Sequence, residues 1–176
     1  MGRPNKRHVV VSVLLFLLIA IRPQPAGATS SQAVDAYLEN VSLSDSYLLQ
    51  MLRRTLPNTL ETTVSLKSDN TTYVITGDIP AMWVRDSCAQ VHPYALICAQ
   101  DSYLQRVVRG VMLRHFKHFN SSYPMSTLIN SWKEDYTPWE YKYEPDGIAY
   151  LIRLCWTYWK VSGDNSWAYL SGDFNA

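Results

Sequence analysis

The stretch Ile75-Thr76-Gly77-Asp78-Ile79-Pro80-Ala81-Met82-Trp83-Val84-Arg85-Asp86-Ser87 decides how the rest of the chain is read. It leaves a β-branched run, turns through Gly77-Asp78-Ile79-Pro80 and enters a helical pattern, which makes it a strand-to-helix junction. Asp78, Trp83, Arg85 and Asp86 all fall within it. Such a junction can aim carboxylates, a guanidinium fork and an aromatic plane at one cavity, a set suited to the hydroxyls and apolar face of a hexose. The same residues admit a structural reading, in which Arg85 pairs internally with Asp86 or Asp78 and Asp86 helps to cap the next helix.

Working outward, the pattern is mostly helical. From Asp45 to Thr55, with Leu48, Leu49, Met51, Leu52 and Leu56 at helical spacing, the sequence predicts a helix closed by Pro57. Thr62–Leu66 and Thr72–Thr76 are β-branched runs separated by Ser68-Asp69-Asn70, a hairpin pattern. On the other side, Ser87 with Gln90 reads as a capping box for a helix to about Ala99, bent at Pro93. A helix from Asp101 to about His118 follows, with Leu104, Val107, Val108, Val111, Met112 and His115 on one face. Asn120 to Tyr143 reads as a long loop with Pro124 and Pro138. The last helix starts near Asp146, carries Ile148, Leu151, Ile152, Cys155 and Trp159 on one side and stops at Gly163. The fold class expected is therefore all-α, an array of helical hairpins with one small β-hairpin.

Composition narrows the function classes. Apolar residues make up 47% and charged residues 18%, the balance of a folded chain. The net charge of +1 owes its sign to Arg3, Lys6, Arg7 and Arg22; the remainder has 12 basic against 15 acidic residues. Without a basic surplus or a Lys/Arg run, a nucleic-acid partner is set aside. The basic head is followed by an apolar run from Val9 to Ile21, too short to span a bilayer, and by Ala26-Gly27-Ala28. This is the layout of a secretory signal over residues 1–28, with a retained signal anchor as the alternative. The reading implies secretion, and no stable membrane insertion once the signal is removed.

Three sequons, at Asn40, Asn70 and Asn120, agree with a eukaryotic secretory route. The three cysteines, Cys88, Cys98 and Cys155, are too few and too oddly numbered for a disulfide scaffold, and buried thiols are expected. Six Trp and twelve Tyr against four Phe favour rings with a polar handle. Those of the helix, Trp156, Tyr158 and Trp159, read as core; Trp132, Tyr136, Trp139, Tyr141 and Tyr143 lie in the loop, where they can line a pocket. His115 and His118 lack an obvious third ligand, so a packed face is expected there and no metal site.

Two blocks carry a family resemblance. Asn58-Thr59-Leu60-Glu61-Thr62-Thr63-Val64 followed by the Ile75–Ser87 stretch resembles the N-terminal signature of the metal-independent α-mannosidases of glycoside hydrolase family 125. Trp139-Glu140-Tyr141-Lys142-Tyr143-Glu144-Pro145-Asp146-Gly147, with Ile152-Arg153-Leu154 after it, resembles that family's Trp-Glu-Arg-Lys-Tyr-Glu-x-Asp-Ser stretch. The resemblance implies an (α/α)6 barrel, exo-acting and inverting hydrolysis of α-1,6-linked mannose on a mannose-containing glycan, and no metal or cofactor. By the same resemblance Asp78, Trp83, Arg85, Asp86, Glu144 and Asp146 would hold the terminal mannose. Asp146, at a helix start, suits binding by an ionised carboxylate and is the fallback general acid. The segment Asn120–Leu128 and Gly147 depart from the family pattern.

Six helical hairpins need roughly 200 residues at about 12 per helix and about 4–6 per loop, more than residues 29–176 supply. Residues 29–176 are accordingly expected to be an N-terminal portion of a six-hairpin domain, and the family resemblance implies that the catalytic acid and base lie outside it. The alternative is a diverged, non-catalytic sugar-binding protein or an inactive fragment.

Overall fold

The computed structural model describes residues 31–78, 81–119, 128–130, 137–140 and 142–166. Helix α1 (Gln32–Asn40), which the sequence reading did not single out, starts at Ser31, whose hydroxyl accepts the Val34 amide at 3.2 Å. Helix α2 (Ser46–Thr62) is capped by Asp45, which accepts the amides of Tyr47 and Leu48. The helix does not stop at Pro57 as expected but runs through it. Proline removes the amide that would bond the Arg53 carbonyl, but Arg53 is exposed and water can take that place. The buried Leu56, Thr59 and Leu60 then hold the far side of the break in the core. The Tyr94 hydroxyl also donates to the Leu56 carbonyl beside it.

The expected hairpin is present as β1 (Val64–Leu66) and β2 (Thr72–Val74), antiparallel with Val64 opposite Val74. Its turn is closed by the Thr71 amide and hydroxyl on Asp69, and Asn70 takes φ 66°. A second pair, not foreseen, joins β3 (Ala81–Trp83) to β4 (Leu128–Asn130), with Met82 opposite Ile129. The expected loop from Asn120 to Tyr143 therefore contains a strand. Thr76 links the two sheets: its hydroxyl donates to the Ala81 carbonyl and accepts the Trp83 amide.

Helix α3 (Val84–Ala95) starts directly from β3 with Trp83 as its N-cap residue, four residues before Ser87, the expected cap. Ser87 is inside the helix, where its buried hydroxyl donates back to the Val84 carbonyl and pairs with His115 at 2.8 Å. Pro93 falls in the last turn, and the helix ends at Ala95, four residues short of expectation. Helix α4 (Ser102–Phe119) is the centre of the domain: Leu104, Val107, Val108, Val111 and Met112 are fully buried, as their spacing indicated. Asp101 caps it through the Leu104 amide. Gly110 on α4 lets β2 approach; a Cβ there would lie 2.8 Å from the Thr72 backbone nitrogen.

Helix α5 (Pro145–Ser162) opens with Pro145 in its first turn and ends on Gly163 at φ 71°. Leu151, Leu154, Cys155 and Tyr158 are buried, packing α5 along α3 and α4. Two expectations for this helix are corrected. Ile152 and Trp159, placed on the buried side, and Trp156, read as core, are 64%, 42% and 59% exposed. The four core positions recur at Leu151, Leu154, Cys155 and Tyr158, so the stripe meeting α3 and α4 lies to one side of the tryptophans.

All three cysteines are free and buried. Burial pushes the Cys98 thiol up to about 11 and that of Cys155 up to about 12, which keeps them protonated and unreactive. Among the described residues no helix is long and apolar enough to cross a membrane. Residues 1–28, the Asn120 sequon, Trp132, Tyr136 and Tyr141 lie outside the described residues.

Candidate active site

Arg85 in the first turn of α3 reaches across to the start of α5. Its Nη1 donates to Asp146 Oδ2 at 2.8 Å and stands 3.7 Å from Glu144 Oε2; its Nη2 is 3.3 Å from Asp86 Oδ2. The β3–α3 junction supplies Arg85 and Asp86 because helix follows strand without a loop, leaving both side chains in the first turn. Glu144 and Asp146 flank Pro145 at the opposite helix start, where the chain is also turning from extended to helical. Two helix N-termini thus meet through one guanidinium. Each dipole end favours the carboxylates beside it, and Asp146 further accepts the Gly147 amide at 2.9 Å.

The electrostatics follow from that geometry. The hydrogen bond from Arg85 holds the Asp146 carboxyl below the usual carboxylate range, with the Gly147 amide assisting. The bond to Asp146 likewise raises Arg85, against a smaller opposing effect of burial and with help from the charges of Asp86, Asp146 and Glu144. A carboxylate so held is a hydrogen-bond acceptor and not a proton donor near neutrality. General-acid duty needs the opposite shift. The fallback assignment of Asp146 as general acid therefore has the local field against it.

Trp83 completes the group. Its ring lies 5.8 Å from the Arg85 guanidinium carbon and 4.9 Å from Lys142 Nζ. Lys142 also contacts Glu140 at 3.0 Å and Glu144 at 3.9 Å. In the sequence, Lys142 stands out only as a member of the Trp139–Gly147 block. Its position between two glutamates was the available signal for a charge-paired site residue. Of the six binding residues inferred, the structure brings five together: Trp83, Arg85, Asp86, Glu144 and Asp146. Asp78 is exposed and makes no ion pair with that group. Trp139 and Tyr143, near the group in sequence, are both exposed.

His115 and His118 are buried in α4, away from solvent. Burial lowers His115 to about 3, with His118 and Arg114 adding to the effect, so its imidazole is neutral. No cluster of three metal-ligating side chains occurs among the described residues. A cavity of about 550 Å³ lies elsewhere, lined by Asn70, Arg106, Arg109, Tyr158 and Asp164 among others, and shares no lining residue with the Arg85 group.

A helical domain whose two acidic helix starts converge on an arginine and a tryptophan has the makings of a polyol-binding site. The family model described as metal-independent alpha-mannosidase (GH125) matches residues 45–173, and the chain belongs to that family. It is 34% identical over 160 residues to the meiotically up-regulated gene 157 protein of Schizosaccharomyces pombe, covering 77% of this chain and 31% of that protein. Its fold is similar to that of a Streptococcus pneumoniae metal-independent alpha mannosidase solved in a non-productive complex with alpha-1,6-mannobiose. The TM-score is 0.71 at 28% identity, covering 83% of this chain and 38% of the other. The chain thus spans about a third of the length of these relatives.

Proposed function

We propose that this chain supplies the mannose-gripping part of an α-mannosidase active site. In this reading Arg85, Asp86, Glu144 and Asp146 bind the hydroxyls of a terminal α-1,6-linked mannose, and Trp83 offers the plane for its apolar face. The observation that carries it is the 2.8 Å contact between Arg85 and Asp146, which unites the two motif blocks of the family. The whole-protein activity proposed is exo-acting hydrolysis with inversion, on a six-hairpin barrel that these helices begin. Inversion requires an acid and a base about 6.5–9.5 Å apart across the scissile bond. None of the five clustered residues is assigned to that pair. Entry into the secretory pathway, through residues 1–28, belongs to the same proposal.

Titration of α-1,6-mannobiose into the chain tests the binding reading, with tryptophan fluorescence and saturation-transfer NMR as readouts. Saturable binding that methyl α-mannoside competes and a galactoside does not is the expected result. Absence of saturation would remove it. Where these blocks are joined to the remaining two thirds found in the relatives, hydrolysis should release β-mannose first.

One observation favours a second reading. Arg85 already faces three carboxylates, so its charge is compensated within the protein and the group can serve as a brace between α3 and α5 in a protein without turnover. The two readings differ in whether sugar affinity or folding responds when Arg85 is altered.

A further inference from the structure

The β1–β2 turn contains the sequon Asn70-Thr71-Thr72, and its two threonines are used differently by the fold. Thr71 is engaged: its hydroxyl donates to Asp69 at 2.7 Å and accepts from Arg114 at 3.3 Å. Thr72 is wholly buried in β2, and its hydroxyl has no hydrogen-bond partner among the described residues. It presses instead against Gly110 of α4. Burying a hydroxyl without a partner is unfavourable, whereas valine would fill the same volume in a strand without that cost. The folded protein has no evident use for this oxygen.

The unfolded chain does have a use for it. Attachment of an N-linked glycan requires a hydroxyl two residues after the asparagine. Asn70 itself is suited to carry one: it is exposed at the turn with φ 66°, and it borders the 550 Å³ cavity, so open, polar-lined space lies beside it. We infer that Asn70 is N-glycosylated and that the Thr72 hydroxyl is retained for recognition of the chain before β2 docks on α4. The reaction joins Asn70 Nδ2 to the anomeric carbon of a lipid-pyrophosphate-linked oligosaccharide. The amide loses one proton, and the lipid pyrophosphate departs with the electrons of the broken glycosidic bond. Once β2 is in place, Thr72 is out of reach, so modification precedes folding of this hairpin. Asn40 lacks this signature, because its sequon hydroxyl, Ser42, is exposed.

The inference rests on the secretory entry proposed above, so the chain is expressed in a eukaryotic cell both with its own first 30 residues and with those replaced by an established secretory signal, and Asn70 is scored in the second form whatever residues 1–28 do. Occupancy of Asn70 is read on the whole-cell pool by enzymatic deglycosylation in ¹⁸O-water and peptide mass spectrometry, so that a variant that folds poorly is still scored. Wild type and Thr72→Ser should carry glycan at Asn70, and Thr72→Val should not. Thermal melts of deglycosylated wild type and Thr72→Val should agree within about 2 °C or favour the valine. An unmodified Asn70 in wild type, an occupied one in Thr72→Val, or a valine variant melting several degrees lower would each overturn the inference.

Discussion

Arg85 and Asp146, 61 positions apart in the chain, meet at 2.8 Å and so fasten the first turn of α3 to the first turn of α5. Neither residue is deeply buried, and the side chains are 35% and 49% exposed. Exposed ion pairs contribute little to stability, because solvent screens them and two long side chains must be ordered. The pair's small expected contribution to stability is where the binding and brace readings of Arg85 part.

That contrast gives the first prediction. Arg85→Lys keeps the charge and loses the planar fork, and Asp86→Asn keeps the shape and loses the charge. With the site as proposed, each should weaken mannobiose binding by about 1–3 kcal/mol while the melting temperature changes little. Calorimetric titration and thermal melting on the same samples decide the matter. Unchanged affinity with a lowered melting temperature in both variants would establish the brace and end the binding assignment.

Gly110→Ala should be severely destabilising. Its Cβ would lie 2.8 Å from the Thr72 backbone nitrogen, and backbone in a paired strand cannot give way as a flexible side chain can. Overpacking of this kind costs about 1–3 kcal/mol or more, and urea unfolding should show it. Gly163→Ala is the control. That residue sits in open space but at φ 71°, so its loss should be about 1 kcal/mol and arise from backbone strain alone.

The parts of the fold legible in the sequence are those dictated by local chemistry. The β1–β2 hairpin was readable because two β-branched runs flank turn residues, and α4 because its apolar spacing is regular from Leu104 to Met112. The pair β3–β4 was not, since three-residue strands pair across a separation that no local pattern encodes. Ser87 with Gln90 matched a capping box by spacing, yet the buried Ser87 hydroxyl is needed by His115 within the core. The exposure of Trp156 depends on which side of α5 its neighbours reach, and its hydrophobicity carries no such information. At the site, residue identity was readable from the motifs. What required the structure was that Glu144 and Asp146 share Arg85, and that Lys142 joins them over Trp83.

Asp101→Ala should release α1. The carboxylate accepts the Ser31 hydroxyl at 2.8 Å, the Ala33 amide at 3.0 Å and the Leu104 amide at 2.9 Å, so one side chain caps α4 and ties α1 to it. Burial acts to raise this carboxyl, but the amide and hydroxyl donors outweigh it and leave it below its usual range. Loss of the three acceptor contacts should cost about 2 kcal/mol. Hydrogen exchange should show faster amide exchange through Gln32–Asn40 with α5 unaffected. Equal acceleration in both helices would mean that Asp101 supports the whole domain.

The last prediction concerns pH. His115 is fully buried, bonded to Ser87 through Nε2, and held at about 3 by desolvation with His118 and Arg114 contributing. In the unfolded chain an ordinary histidine titrates near 6.5. Between those values the unfolded state binds a proton that the folded state does not, so stability falls as the pH is lowered through that window. The slope for one such group approaches about 1.4 kcal/mol per pH unit, and above pH 6.5 the contribution is constant. Asp101 and Asp164 act in a different window: their carboxyls are lowered, so their contribution is present above the ordinary aspartate value and is lost only at lower pH. His92, half-buried and also lowered by burial and by Arg153, adds to the histidine window in the same direction. His115→Gln retains a group able to bond Ser87 and removes the titration. Its unfolding free energy should therefore be lower than wild type at pH 7 but fall less steeply between pH 6.5 and 4.5. Parallel pH profiles for the two proteins would show that His115 does not set the acid sensitivity.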